Sequence, residues 1–223
     1  SRRVLSGVPQ VKFYDGGPTC PEDIPFPSVM RALMAYLGET AYSCRTCRGT
    51  PPGERIPCGY AFFLGVSGVA AFFNWKPGWE GDNVAIHYMS NDPGAPYRRA
   101  LAATGYTAAG QARDRETARR QIMESLGRGL PVIAFGPVGP PEAALITGYD
   151  EDGDVLIGWS FFQHVPEFSA GLTYEPTGEF RTRDWWNVTR PDLPPGLRCF
   201  ILERTHEPPP LQETCRDALA WMV

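Results

Sequence analysis

The order of its elements predicts an α+β fold in which N-terminal helices pack on an antiparallel sheet. Three observations carry this. Helical patterns concentrate in the first half of the chain, and short strand-like runs in the second. Two of those runs, 143–148 and 154–158, are joined by the polar turn Tyr149-Asp150-Glu151-Asp152-Gly153, which pairs them as a hairpin.

Taken in order, Val11 to Tyr14 reads as a short strand closed by the turn Asp15-Gly16-Gly17-Pro18. A helix is predicted over 27–37, with Pro27 in its first turn, Val29, Leu33 and Tyr36 on one face, and Gly38 as its stop. The run 63–73 contains Gly65, Ser67 and Gly68 and suits a helix packed closely on a neighbour. A strand is predicted over 83–88, and Asn91-Asp92-Pro93-Gly94 turns the chain into a short helix over 97–104. The clearest helix spans 114–126, with Ile122 and Leu126 four apart and arginines and glutamates around the remaining faces. Residues 131–135 and 197–202 complete the strands. Residues 1–207 thus read as one domain with a cysteine-containing excursion at about 43–59. Pro208-Pro209-Pro210 then breaks the chain before an amphipathic helix over 211–223, which either docks on the domain or opens a further segment.

Composition excludes several function classes. A net charge of −4, with both signs mixed along the chain, offers no basic stripe for nucleic acid. The apolar runs Tyr60 to Val66 and Val69 to Phe73 fall far short of the roughly 20 residues of a membrane span. The basic start Ser1-Arg2-Arg3 has no apolar stretch of signal-peptide length behind it, so the expected location is cytoplasmic. Only Lys12 and Lys76 are lysines, a bias that fits either a GC-rich genome or heat adaptation. Asn187-Val188-Thr189 is a sequon without secretion, and Glu151, Asp152 and Asp154 lack a full calcium-loop pattern. In Gly136-Pro137-Val138-Gly139-Pro140-Pro141 the prolines remove the amides that a phosphate cradle needs.

Cys44-Arg45-Thr46-Cys47 followed by Cys58 has the knuckle spacing of a structural zinc site, with Cys20 as the candidate fourth ligand. The competing reading is an excursion with reduced or disulfide-linked thiols. Cys199 and Cys215 could pair across the proline linker.

Two segments carry a family resemblance. Phe26-Pro27-Ser28-Val29-Met30-Arg31-Ala32-Leu33-Met34-Ala35-Tyr36-Leu37-Gly38 resembles the central helix of papain-like domains of the C39-peptidase and butirosin-H-like type. Glu142 to Asp150, followed by Gly153 to Trp159, resembles that family's hairpin, in which a histidine opens one strand, Gly-Tyr-Asp turns the chain and an acidic residue follows the next strand. The resemblance implies a papain-like fold and cysteine chemistry, with a thiolate at a helix N-terminus beside an oriented imidazole. By its spacing the nucleophile position falls near Pro25 or Phe26, the histidine position at Glu142 and the orienting position near Trp159. None is the expected residue. A carboxylate is a poor base at neutral pH unless burial raises its pKa.

The expected function is therefore that of a catalytically degenerate papain-like module binding a small amine or peptide ligand through Glu22, Asp23, Glu142 and Trp159. The alternative is a hydrolase or acyltransferase with Cys20 as a displaced nucleophile. His87, His164 and His206 read as surface or structural residues.

Elemental analysis of protein purified without a histidine tag tests the metal reading. If the site binds metal, the expected metal is zinc, close to one equivalent, held by Cys44, Cys47 and Cys58 with Cys20 as the fourth ligand. Less than about a tenth of an equivalent would leave residues 43–59 as an ordinary excursion, because closed structural sites hold their metal tightly.

Overall fold

A computed structural model of the 223-residue chain describes residues 1–11, 13, 22–39, 59–72, 77–78, 85–88, 90–109, 112, 114–186 and 198–222. Five helices are described: α1 (Pro25–Tyr36), α2 (Tyr60–Ser67), α3 (Ala95–Ala102), α4 (Arg115–Gly127) and α5 (Leu211–Trp221). The strands are β1 (Arg3–Val4), β2 (Tyr106–Ala109), β3 (Val132–Phe135), β4 (Ala143–Asp150), β5 (Val155–Trp159), β6 (Thr173–Tyr174), β7 (Phe180–Thr182) and β8 (Cys199–Arg204). They form one sheet in the order β2-β8-β3-β4-β5-β7-β6, with β1 added to β4 and every pairing antiparallel. The α+β class follows directly.

Helices cover both faces of the sheet. Tyr97 of α3 meets Phe135 and Phe200 edge-on at ring separations of 5.0 and 5.7 Å. Ala134 and Cys199, each adjacent in its strand to one of those phenylalanines, line a small cavity with Ala118 and Ile122 of α4, at whose edge Phe135 also appears. Successive strand residues point to opposite faces, so α3 and α4 lie on opposite sides. Helix α1 packs on β4. Its own buried face is continuous: Phe26, Val29, Met30 and Leu33 are all fully buried.

Strand β4 has partners along both edges. β3 and then β1 run along one, β5 along the other, with a bulge between Ile146 and Gly148. At Gly148 a Cβ would lie 2.6 Å from the Arg3 carbonyl oxygen, so glycine is what lets β1 approach.

Helix starts and stops follow local chemistry. Asp114 caps α4 by accepting the Thr117 amide at 2.8 Å. Pro25 occupies the first turn of α1, where a missing N–H costs nothing. Gly68 ends α2 in the left-handed region at φ 87°.

Several expectations change. Val11 and Phe13 belong to no strand, while Lys12 and Tyr14 lie outside the described residues. Within the predicted strand 83–88, Ile86–Tyr88 forms a 3-10 turn in which the Tyr88 amide donates to the Ala85 carbonyl. The run 63–73 splits at Gly68 into α2 and a 3-10 turn, Val69–Ala71. Strands β1, β2, β6 and β7 were not expected. Cys199 and Cys215 are free thiols, the first buried in β8 and the second exposed on α5. No described helix is long and apolar enough to cross a membrane.

Helix α5 docks on α2 through Trp221. The indole lies where the Cβ of residue 68 would be, and the Arg99 guanidinium sits 3.5 Å from its ring centre while donating to the Ser67 carbonyl at 2.7 Å. Gly68→Ala therefore combines a steric clash with left-handed strain and is expected to destabilise by about 1–3 kcal/mol. In a Trp221→Ala background the clash disappears, and the same substitution should cost only about 1 kcal/mol of strain. Urea unfolding of the four variants measures this; strictly additive effects would show that Trp221 does not occupy the socket.

Candidate functional site

The N-terminal end of α1 is held by a tyrosine. Ile24 precedes the helix without a side-chain cap. The Tyr60 hydroxyl instead fixes the chain entering the helix, accepting from the Asp23 and Ile24 amides at 3.1 and 3.0 Å and donating to Asp23 Oδ1 at 2.5 Å. Burial and the neighbouring Asp23 push the Tyr60 hydroxyl well above its ordinary pKa, so it stays a donor. Glu22 is also engaged: Arg31 Nε lies 2.6 Å from its Oε1, and the Ser28 hydroxyl donates to Oε2. Both acidic residues before the helix thus fasten its first turns.

Inside that end, Phe26 is fully buried and its ring meets Tyr97 edge-on at 4.7 Å. Tyr97 in turn packs on Phe135, whose strand partner is Ala143, the residue after Glu142. The chain between β3 and β4 is closed by the Gly136 amide donating to the Glu142 carbonyl at 3.0 Å and the Glu142 amide donating to the Pro140 carbonyl at 2.7 Å. Gly139, at φ 73°, is packed under Phe162 and Phe168, which fixes this proline-rich loop.

The Glu142 side chain is 9% exposed and, among the described residues, makes no hydrogen bond or ion pair. No described arginine satisfies it. Desolvation raises its pKa to about 8, so at neutral pH it is a neutral carboxylic acid. The Tyr97 hydroxyl is buried without a hydrogen bond and lies within the electrostatic reach of Glu142. Burial, reinforced by that carboxyl, raises the Tyr97 pKa as well. The Tyr97 ring is set among Phe26, Phe135 and Phe200, with the Glu142 carboxyl within electrostatic reach of its hydroxyl. Chemically the two O–H groups can donate hydrogen bonds, and Glu142 can also take up a cation by giving its proton away.

Trp159 pairs with Leu145 across β4 and β5 and is 6% exposed, its ring packed on Gly178. Among the described residues its indole Nε1 has no hydrogen-bond partner. Of the four residues expected to share a ligand site, Glu142 keeps an uncommitted polar group beside the α1 terminus. Glu22 and Asp23 serve the fold, and Trp159 is core. Cys20, Cys44, Cys47 and Cys58 lie outside the described residues. Among the described residues no cluster of three or more histidine, cysteine or acidic side chains could hold a metal.

His87 is buried in its 3-10 turn. His164 stacks on Tyr174, and His206 faces its neighbouring Glu207 carbonyl at an exposed position. Cys199 is buried, and desolvation pushes its thiol up to about 11, which leaves it inert as a nucleophile. Tyr97 and Tyr60 escaped the sequence reading because a tyrosine in a short amphipathic helix looks like ordinary core. The available signal was their position on the apolar faces of 97–104 and 60–66.

Comparison with family models, curated proteins and solved structures finds no match to this chain.

Glu142 makes stability depend on pH. Between about pH 4.5 and 8 the folded chain keeps a proton that the unfolded chain has lost, so its contribution is complete below the unfolded pKa and falls by about 1.4 kcal/mol per unit as pH rises toward 8. Glu142→Gln should match the parent near pH 5 and be more stable at pH 8, as read by urea unfolding at several pH values. Parallel profiles for the two proteins would show that Glu142 is ionised in the native state.

Proposed function

We propose that the chain is a catalytically degenerate, papain-like domain of the C39 type that binds an amine-bearing small molecule or peptide at Glu142. The observation that carries this reading is the buried, unpaired carboxyl of Glu142 beside the Phe26–Tyr97 end of α1. It supports a papain-like arrangement because the two positions expected for nucleophile and imidazole, near Phe26 and at Glu142, both adjoin Tyr97. It speaks against catalysis by those positions, since a phenyl ring cannot attack and a neutral acid is not a base at pH 7.

A buried carboxyl without a partner is costly to the fold, and a ligand ammonium supplies the charge-assisted hydrogen bond it lacks. Binding a cation requires Glu142 to release its proton, which ties affinity to pH. Phenethylamine serves as the probe, with phenethyl alcohol as its uncharged control. Its affinity by calorimetry should rise about tenfold per pH unit up to about pH 8 and then level off. In Glu142→Gln both the affinity and its pH dependence should be lost, with folding checked by melting temperature. Unchanged affinity in a natively melting variant would make the pocket structural. Stoichiometric labelling of Cys20 alone by a peptide-based electrophile would instead favour the cysteine-dependent hydrolase or acyltransferase.

A further inference from the structure

On the other side of the sheet, between α4 and the β2–β8 edge, lies an open crevice of about 200 Å³. Its lining includes Ala109, Gln121, Glu124, Arg128, Ile201 and Glu203. Ala109 and Ile201 are cross-strand partners, so their side chains share one face and form an apolar floor. Glu203 lies two residues along β8 and points the same way.

The walls carry both signs of charge, and these do not neutralise one another. Glu124 and Arg128 are four apart on α4, the spacing at which such pairs usually join. Among the described residues, however, neither they nor Glu203 form an ion pair. Elsewhere on the surface Arg119 pairs with Glu116, Arg183 with Glu151 and Arg204 with Glu39, so the crevice keeps charges of both signs open to a ligand. Gln121 adds an independent observation. Its side-chain oxygen is shielded from solvent and accepts no hydrogen bond, although the residue lines the crevice.

We propose that this crevice binds a single zwitterionic aliphatic α-amino acid. Arg128 takes the carboxylate in a bidentate pair. Glu203 takes the ammonium, the Gln121 amide turns its side-chain oxygen toward it, and the ligand's side chain lies on Ala109 and Ile201. Glu124 completes the rim and screens the site against anions. The volume suits a ligand of this size: it is below the roughly 300–1,000 Å³ of pockets for drug-sized ligands. The unpaired charges set the class, because a ligand bearing only one charge leaves an opposite group unanswered.

The test is an amide NMR titration of the whole chain with L-leucine, leucinamide, which lacks the carboxylate, and N-acetyl-L-leucine, which lacks the ammonium. Leucine should give saturable shifts in α4 and β8, with each analogue bound at least about tenfold more weakly. In Arg128→Gln, leucine should weaken to the level of leucinamide while leucinamide itself is unaffected. In Glu203→Gln, leucine should weaken to the level of N-acetyl-leucine. Both side chains are exposed, so the variants should keep a native spectrum. No saturable shift up to about 20 mM leucine, or equal loss of all three compounds in both variants, would overturn the proposal. Because the probes are read at α4 and β8, their outcome is separable from any binding at Glu142.

Discussion

The structure depends on β4 being buried on both faces and bonded along both edges. Residues 143 to 149 are buried without interruption. A strand in that position must be apolar, and it must also be slim where other elements crowd it. Ala143 and Ala144 open it, and Gly148 admits β1. Phe26 and the rest of the buried α1 face pack against the same layer. The cost falls on Glu142, which sits at the mouth of this strand and is buried along with it. Its unpaired carboxyl is thus the one polar residue that the architecture buries at the start of β4 without a hydrogen-bonded partner among the described residues.

Charge is managed differently at the far end of the sheet. Arg181 of β7 reaches Asp150 at 2.9 Å and Glu175 at 2.5 Å, and Arg2 reaches Glu175 at 2.8 Å. This network joins the β4–β5 turn, the β6–β7 hairpin and the N-terminal segment. It holds Asp150 below its ordinary pKa through the Arg181 hydrogen bond, and the two arginines more than offset the desolvation of Glu175. Guanidinium forks suit such shared carboxylates better than ammonium groups do. The scarcity of lysine therefore has a structural use here, whatever its origin.

Much of the fold could be read from the chain because periodicity and turn chemistry are local. The helix over 114–126 appears one residue displaced, the hairpin over 143–158 appears with a bulge between Ile146 and Gly148 that no pattern announced, and the helix before Gly38 appears two residues early because Pro25 tolerates the first turn. The two-residue strands β1 and β6 carry no periodic signal, and β2 is a strand only because β8 pairs with it. The site was less legible for the same reason. Glu142 stands out by its place in a motif, but that Glu22 is taken by Arg31, and Asp23 by Tyr60 some 37 residues away, depends on packing that no local pattern records. Tyr97 needed the same tertiary information.

The attachment of β1 has a kinetic consequence. Residues 3 and 4 pair with residues 149 and 148. Nearly the whole intervening chain must be drawn together before this contact forms, which makes it one of the slowest to close during folding. Only two residues of it pair as strand, and the contacts beside them, Ser1 with Asp152 and Arg2 with Glu175, are made by the exposed residues Ser1 and Arg2, so it is also among the sheet pairings most open to local unfolding. Each opening bares the edge of β4 at Gly148 and Tyr149, near the end of an otherwise covered strand. That brief exposure is where a second chain, still incompletely folded, would find a ready template for strand pairing.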